Sequence, residues 1–470
     1  MKPSILIFLT MAFFALVVGA LAQDKSVTVS SLAELAAAAA GDGRQVTMTP
    51  GVYRMVDYLT AEVLEKIGKE VDRSLPRPPV PMFVFAGKDN RFDLRNVIIE
   101  IDTSLYAKLP QRGYTRCLIV QGGGNSIDGL TLRNTGPNQG SGGNILSVAG
   151  EGNTLENITL QVHGSSPWGY GDLLGKGGPN LVNLQKQSGI QVLGSRTLLR
   201  RCKVFSRAFG HCFYIQAGDD IRIEDCHAEG VMRSTTEMLT DTSGPAADLG
   251  FKSVYVNRDG RYQIQPGYTK SLVEDGFRTY SGAGNITLVN CTAIHTRSGF
   301  EIGAKNDSPK KTYIENCLAK GCERGYLLGS NVIVRRSRGD ISHGPLLYLR
   351  GGLNSDIELE LAGAPPESTV HAIATVAGNG HRVRLTCQPQ DAGFPRLPLM
   401  LGFGMPTHAE MASPILPDAA TGITLVSELP GVPVLTSSAA KDCRVEAAGK
   451  MLSDDELRKS PGDWGGTAIK

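Results

Sequence analysis

Tyr214, Arg278, Glu301 and Leu327 each follow an aromatic residue (Phe213, Phe277, Phe300 and Tyr326) in four stretches of similar pattern. If those stretches are strands of one repeated unit, alternation turns the aromatics inward and sets the tyrosine, arginine and glutamate in one outward column. Gln216 and Tyr280 fall two residues further along, in a second outward column, and His211, Glu274 and Arg297 lie just beyond the corners. Histidine and tyrosine can take and return a proton, and arginine can neutralise an anion beside a reacting carbon. Taken singly, each has a plainer reading: Arg278 with Glu301 as a solvated pair on a sheet face, His211 as a hydrogen-bonded corner residue. Convergence on successive repeats is what marks this face as functional.

Two interruptions of the repeat flank that face. The first runs from about Ser165 to Gln187 (SSPWGYGDLLGKGGPNLVNLQKQ) and the second from about Arg233 to Asp275. Both leave from the same corner, on units separated by one regular turn, so they should project side by side. Long loops on a rigid scaffold are where binding and catalysis concentrate. These carry Trp168, Tyr170, Tyr255, Tyr262 and Tyr268, flat faces suited to stacking on pyranose rings, and Arg233, Lys252, Arg261 and Lys270, which could hold carboxylates or sulfates. The second insertion has five Lys/Arg against six Asp/Glu, so any anion binding there must come from placement rather than from a uniform field.

The repeat itself dictates the scaffold. GIQVLGSRTLLRRC ends at Cys202, CFYIQAGDDIRIEDC at Cys226, FRTYSGAGNITLVNC at Cys291 and FEIGAKNDSPKKTYIENC at Cys317; a serine, Ser337, takes the cysteine's place in the next copy. Regular steps of roughly 20 to 28 residues suffice for three short strands and their corners. The copies are rich in Ile, Val, Leu, Thr and Tyr with Gly and Asn at the corners, and show no sustained helical period. The fold class is therefore all-β, a right-handed parallel β-helix in which the slot residues stack inward. Residues 23–82 read as a capped helix (SSLAELAAAAAGDG) and a helical insertion that close the first coil. The coils then occupy 83–389, and 390–470 holds an irregular segment, final strands and a polar tail.

At 470 residues with 41% apolar and 20% charged, the chain can bury a large core. A formal net charge of +2 argues against nucleic acid as a partner. Residues 1–22 combine Lys2, an apolar run and an Ala20-Leu21-Ala22 end, the pattern of a cleaved secretory signal. This predicts a secreted or periplasmic protein without stable membrane insertion. The nine cysteines are an odd number, and those in the slot read as small core side chains rather than bridges. Asn157, Asn285 and Asn290 stand in Asn-x-Thr sequons but at turn and slot positions, as corner asparagines.

The stacked Gly/Asn-cornered coils resemble the pectate-lyase-like superfamily of right-handed parallel β-helices. The opening VSSLAELAAAAAGDGRQVTMTPGVYRM is similar to the N-terminal cap of its chondroitinase B and alginate lyase group, and the likeness spans Ser26 to Pro389. It implies a polysaccharide partner and, in that group, a lysine and an arginine acting on neighbouring coils, often with calcium. Lys252 and Arg278 have a comparable order here, while no clear acidic cluster for calcium is present. The implied chemistry is β-elimination from a uronic acid. Arg278, with Arg233 or Arg297, would neutralise the carboxylate, and a desolvated Lys252 or Lys270 would take the C5 proton. Tyr280 or His211 would protonate the leaving oxygen. Trp168, Tyr214, Tyr268, Glu274 and Glu301 would contact substrate. Two alternatives stay open: hydrolysis or glycosyl transfer by two carboxylates from Glu237, Asp241, Asp248, Glu274, Asp275 and Glu301, and non-catalytic glycan binding.

Overall fold

The computed structural model describes residues 26–72, 74–75, 78–109, 114–140, 142–176, 180–257, 260–303, 308–363, 371–388, 397–404 and 417–453. The expected export signal, residues 1–22, lies outside them. Among the described residues no helix is long and apolar enough to cross a membrane.

The chain is a parallel β-helix. The strands of the coils pair parallel with their counterparts one coil on, as in Arg200, Glu224, Val289, Glu315 and Arg335, which follow one another down one face. The next residue on each coil (Arg201, Asp225, Asn290, Asn316, Arg336) has φ between 50° and 54°, a left-handed corner that Asn and Asp tolerate best. That corner turns the following side chain inward, so Cys202, Cys226, Cys291, Cys317 and Ser337 line up, each at most 1% exposed. Their thiols lie near backbone carbonyls of their own coil and the one before: Cys291 Sγ is 3.4 Å from Val289 O and 3.5 Å from Ile223 O. All nine cysteines are free.

On the face that carries the candidate residues, Phe213, Phe277, Phe300 and Tyr326 are register partners. Their rings stack at centroid separations of 4.9, 5.1 and 5.0 Å. This column fixes the direction of every neighbour, so the next residue on each coil points out.

A third column went unread in the sequence. Gly87, Gly122, Gly150 and Gly194 stack at one corner so closely that a Cβ at Gly122 would stand 1.9 Å from the Gly87 carbonyl oxygen. Beside them Asn90 and Asn125 donate their backbone N–H groups to the side-chain oxygens of Asn125 and Asn153 one coil on, at 3.0 and 2.8 Å. The Asn side chains in turn donate to glycine carbonyls. Gly122→Ala must push coils apart against these bonds. It is expected to lower the unfolding free energy by about 3 kcal/mol or more, read as a lowered urea midpoint.

At the N-terminal end the helix Leu32–Ala39 is capped by Ser31, whose hydroxyl accepts from Glu34 N–H, while Glu34 reaches back to the Ser30 N–H at 2.7 Å. It buries Leu32, Leu35, Ala38 and Ala39 over the open end of the solenoid. The strands Leu399–Leu401, Val434–Thr436 and Met451–Ser453 carry the same stack beyond residue 390.

Candidate active site

The two insertions leave after the strands Thr159–Val162 and His227–Glu229 and rejoin at Gln187 and Asp275, the same corner, as their spacing predicts. They pack on one another around a core of their own: Tyr170, Leu173 and Leu174 from the first, and Met238, Ala246, Tyr255, Ile264, Tyr268 and Leu272 from the second. Three expectations change here. Tyr170, Tyr255 and Tyr268 are 6%, 3% and 6% exposed, so their rings are spent on packing and not offered to sugars. Loops this long gain more by burying aromatic surface against each other than by exposing it. Lys252 is exposed and sits opposite Gln263 in a short bridge of the insertion, where nothing desolvates it for base catalysis. Lys270 is fully buried, but its ammonium lies 2.6 Å from Glu323 and 3.2 Å from Asp172, so it is held charged as a structural cation.

Trp168 and Arg233 are brought together at the outer side of the insertions, in a groove of about 690 Å³ that also has Tyr170, Arg207, Glu237 and Asp241 in its walls. Arg233 is engaged there by Asp241 at 2.8 Å and Glu237 at 3.0 Å.

The remaining expected residues converge under the inner side. His211 is 8% exposed; its Nε2 is 2.9 Å from Tyr280 Oη and 3.5 Å from Glu274 Oε2, and its Nδ1 is 3.0 Å from Asp275 Oδ2. Arg278 Nη1 lies 3.0 Å from Asp275 and 2.6 Å from Glu301, with its guanidinium 4.7 Å from the centre of the Tyr280 ring. Arg297 joins Asp275 at 3.2 Å, Asp172 at 3.3 Å and Glu274 at 3.6 Å. Lys186 closes on Glu274 at 2.8 Å. Tyr214 is 3% exposed and backs the His211 and Tyr280 rings at 5.4 and 6.4 Å, so it supports the pair rather than meeting a ligand.

A β-bulge aims Tyr280. Ile215 pairs with Thr279 and Ala217 with Gly282, so two residues, Tyr280 and Ser281, stand against Gln216 alone. The extra residue breaks the ladder and re-aims the side chain, here toward His211 at the corner.

The electrostatics separate the members. Burial by itself would raise the Asp275 carboxyl, but Arg297, His211 and Arg278 outweigh it and hold it well below the usual carboxylate range. Glu274 is also lowered, with His211, Lys186 and Arg297 prevailing over burial. The Tyr280 phenol is pushed up to about 12 by burial, with Arg278 pulling against that and Glu274, Asp275 and Glu301 adding to it. The cluster therefore presents a protonated tyrosine bonded to a histidine whose far side faces fixed negative charge.

Asp172, Lys186 and Glu323 carry this arrangement without having been singled out as site residues, and Asp275, expected only as one of a hydrolase's paired carboxylates, instead backs the His211 ring. One signal was present: Ser188, His211, Asp275, Ser298 and Arg324 each stand two residues ahead of the Ile/Phe/Tyr column and share one register across consecutive coils. Strand interiors alone do not show that row, which lies at the mouth of the corner. Calcium is not accommodated by these groups. Among the described residues no cluster of three or more His, Cys, Asp or Glu side chains could hold a metal ion, and the carboxylates of this site are each matched to a lysine or arginine.

No family model matches the chain, and no curated protein matches it. Solved structures do. The chain is 12% identical to a PL6 alginate lyase in complex with a trisaccharide, with a TM-score of 0.45 over 92% of this chain and 87% of that one. It is 11% identical to the Dettilon tailspike protein, with a TM-score of 0.44 over 88% of this chain and 62% of the tailspike. Against the A-module of an Azotobacter vinelandii mannuronan C-5 epimerase the identity is 12% and the TM-score 0.37, over 89% and 92% of the two chains. At these identities the likeness is one of fold: the parallel β-helix that the strand pairing already defines.

Proposed function

We propose that this chain is a secreted polysaccharide lyase that cleaves a uronic-acid-containing glycan by β-elimination. The observation that carries the proposal is the hydrogen bond between Tyr280 Oη and His211 Nε2, 2.9 Å long, with Asp275 at 3.0 Å behind the imidazole and Arg278 beside the phenol.

In the proposed reaction His211 takes the phenolic proton. The imidazolium so formed faces Asp275 and Glu274, and the phenolate faces Arg278, so both new charges meet opposite ones already in place. The phenolate removes the C5 proton of the uronate. The C–H electron pair becomes the C4=C5 double bond as the C4–O4 bond breaks, the leaving O4 takes the abstracted proton from Tyr280, and His211 then returns the first proton to the phenolate. No net proton is consumed. Arg278 draws charge from the C5 carboxylate, which is what makes that proton removable. Tyr280 thus serves as base and acid in turn, in place of the lysine base that the resemblance implied. No step is routed through a metal.

Paired-carboxylate hydrolysis receives less support. Asp275 is fully buried and Glu274 is 3% exposed, which leaves Glu301, among the described residues, as the carboxylate of this face open to a glycan. The test is a screen of uronic-acid polysaccharides for ultraviolet absorption of an unsaturated product, with and without chelator. Absorption growing on at least one polyuronate, unaffected by chelator, is expected. New reducing ends without absorption would overturn elimination.

A further inference from the structure

The strand residues two places beyond Arg278, Glu301, Leu327 and Tyr348, which are register partners on successive coils, are Tyr280, Gly303, Gly329 and Arg350. This outward column starts at the catalytic phenol, crosses two coils with no side chain at all, and ends at an arginine three coils on, about 14 Å at the ~4.8 Å spacing of paired strands. The result is a groove of about 290 Å³ with Gly303 and Gly329 as its floor, Arg278, Thr279 and Glu301 at one end and Arg350 at the other. The floor is close-packed: a Cβ on Gly303 would come within 2.9 Å of the Gly329 Cα.

Charge along this groove is unevenly spent. Glu301 Oε1 is 2.6 Å from Arg278 Nη1 and 4.0 Å from Arg350 Nη2, so the one carboxylate oxygen between the two arginines is committed to Arg278. The Arg350 side chain is 54% exposed. Its cation points into a groove whose nearest anion is already paired, where an incoming acid group would meet it with less competition than water offers in the open.

We propose that Arg350 is a specificity residue. It binds a second acid group of the glycan, a few sugars from the one being cleaved, while the bare Gly303–Gly329 floor admits an unbranched chain lying along the solenoid axis. The preferred substrate is then a linear polymer with acid groups on more than one sugar, rather than one with an isolated uronate. This rests on the elimination reading for the position of the scissile sugar, but the groove can be tested by binding alone.

The experiment measures binding of dimers and tetramers of mannuronate, guluronate and galacturonate, and of a fully methyl-esterified galacturonate tetramer, by calorimetry. It uses the Tyr280→Phe chain so that ligand survives. Arg350→Ala in that background should weaken the best acidic tetramer about tenfold or more, while changing dimers and the neutral tetramer less than about twofold. Gly329→Leu is a second variant that the backbone accepts, since the nearest atom to its Cβ is Gly303 Cα at 3.5 Å. It fills the floor and should weaken the same tetramer at least as much. Unchanged tetramer affinity in either variant, or no binding of any acidic tetramer, overturns the proposal. Tetramer binding with this dependence, in a chain whose wild type yields no unsaturated product, keeps the groove and removes elimination alone.

Discussion

Tyr280→Phe is expected to lower kcat on the responsive polyuronate by about a thousandfold, within the range that a positioned acid–base group contributes, with little change in KM or in thermal stability. The change removes one oxygen from a half-buried side chain and leaves the ring over which Arg278 lies 4.7 Å away. The size of the effect follows from the phenol's position. With its acidity pushed down to a pKa of about 12, Tyr280 is a strong base once deprotonated but rarely so on its own. Almost all its competence therefore comes through the 2.9 Å bond to His211. His211→Gln should accordingly lose rate by a similar factor while Tyr280 remains in place, and the double variant should be little worse than either single one, because the two groups act as a unit. If the two losses multiply, Tyr280 and His211 do separate jobs and the shared-proton scheme is wrong. If Tyr280→Phe keeps wild-type turnover, the base lies elsewhere on this face.

What the sequence discloses here depends on whether one residue type has one use at its position. The slot residues Cys202, Cys226, Cys291 and Cys317 can be read because a small side chain after a left-handed corner has little alternative to pointing inward. The stacked column of Phe213, Phe277 and Phe300 follows once those corners set the register, and Arg278 and Glu301 follow as its outward neighbours. The insertions are legible in position and not in content. A tyrosine such as Tyr255 or Tyr268 serves equally as a sugar platform or as core, and only the burial of one loop against the other decides between them. Lys270 illustrates the same limit in charge: a loop lysine reads as an anion holder or a base until Glu323 and Asp172, distant in sequence, are seen beside it. The bulge that turns Tyr280 toward His211 leaves no local mark, since it consists of one residue more on one coil than on the next.

Lys270→Met should destabilise the insertions by about 3–5 kcal/mol, the cost of leaving buried charge without its partner. Lys270 and Glu323 are both fully buried, 2.6 Å apart. With the ammonium gone, Glu323 retains the Ser271 N–H at 2.5 Å, and Asp172 retains Tyr255 at 3.1 Å and Arg297 at 3.3 Å. The Ser271 N–H is a neutral donor and does not stand in for the ammonium 2.6 Å away. The loss should be local, because the strands beneath are joined coil to coil by their own ladders. Hydrogen exchange should quicken first in the antiparallel pair Met232–Ser234 and Thr269–Ser271, before the coils respond. Adding Glu323→Gln removes the buried charge that Lys270 had faced while keeping an acceptor for Ser271, so the double variant should regain more than half of the lost stability. Activity measured well below the unfolding temperature separates structure from chemistry. A structural cation predicts that turnover returns with stability in the double variant. A lysine acting as the base predicts that turnover stays abolished in both, and that outcome would return the proton-abstracting role to Lys270.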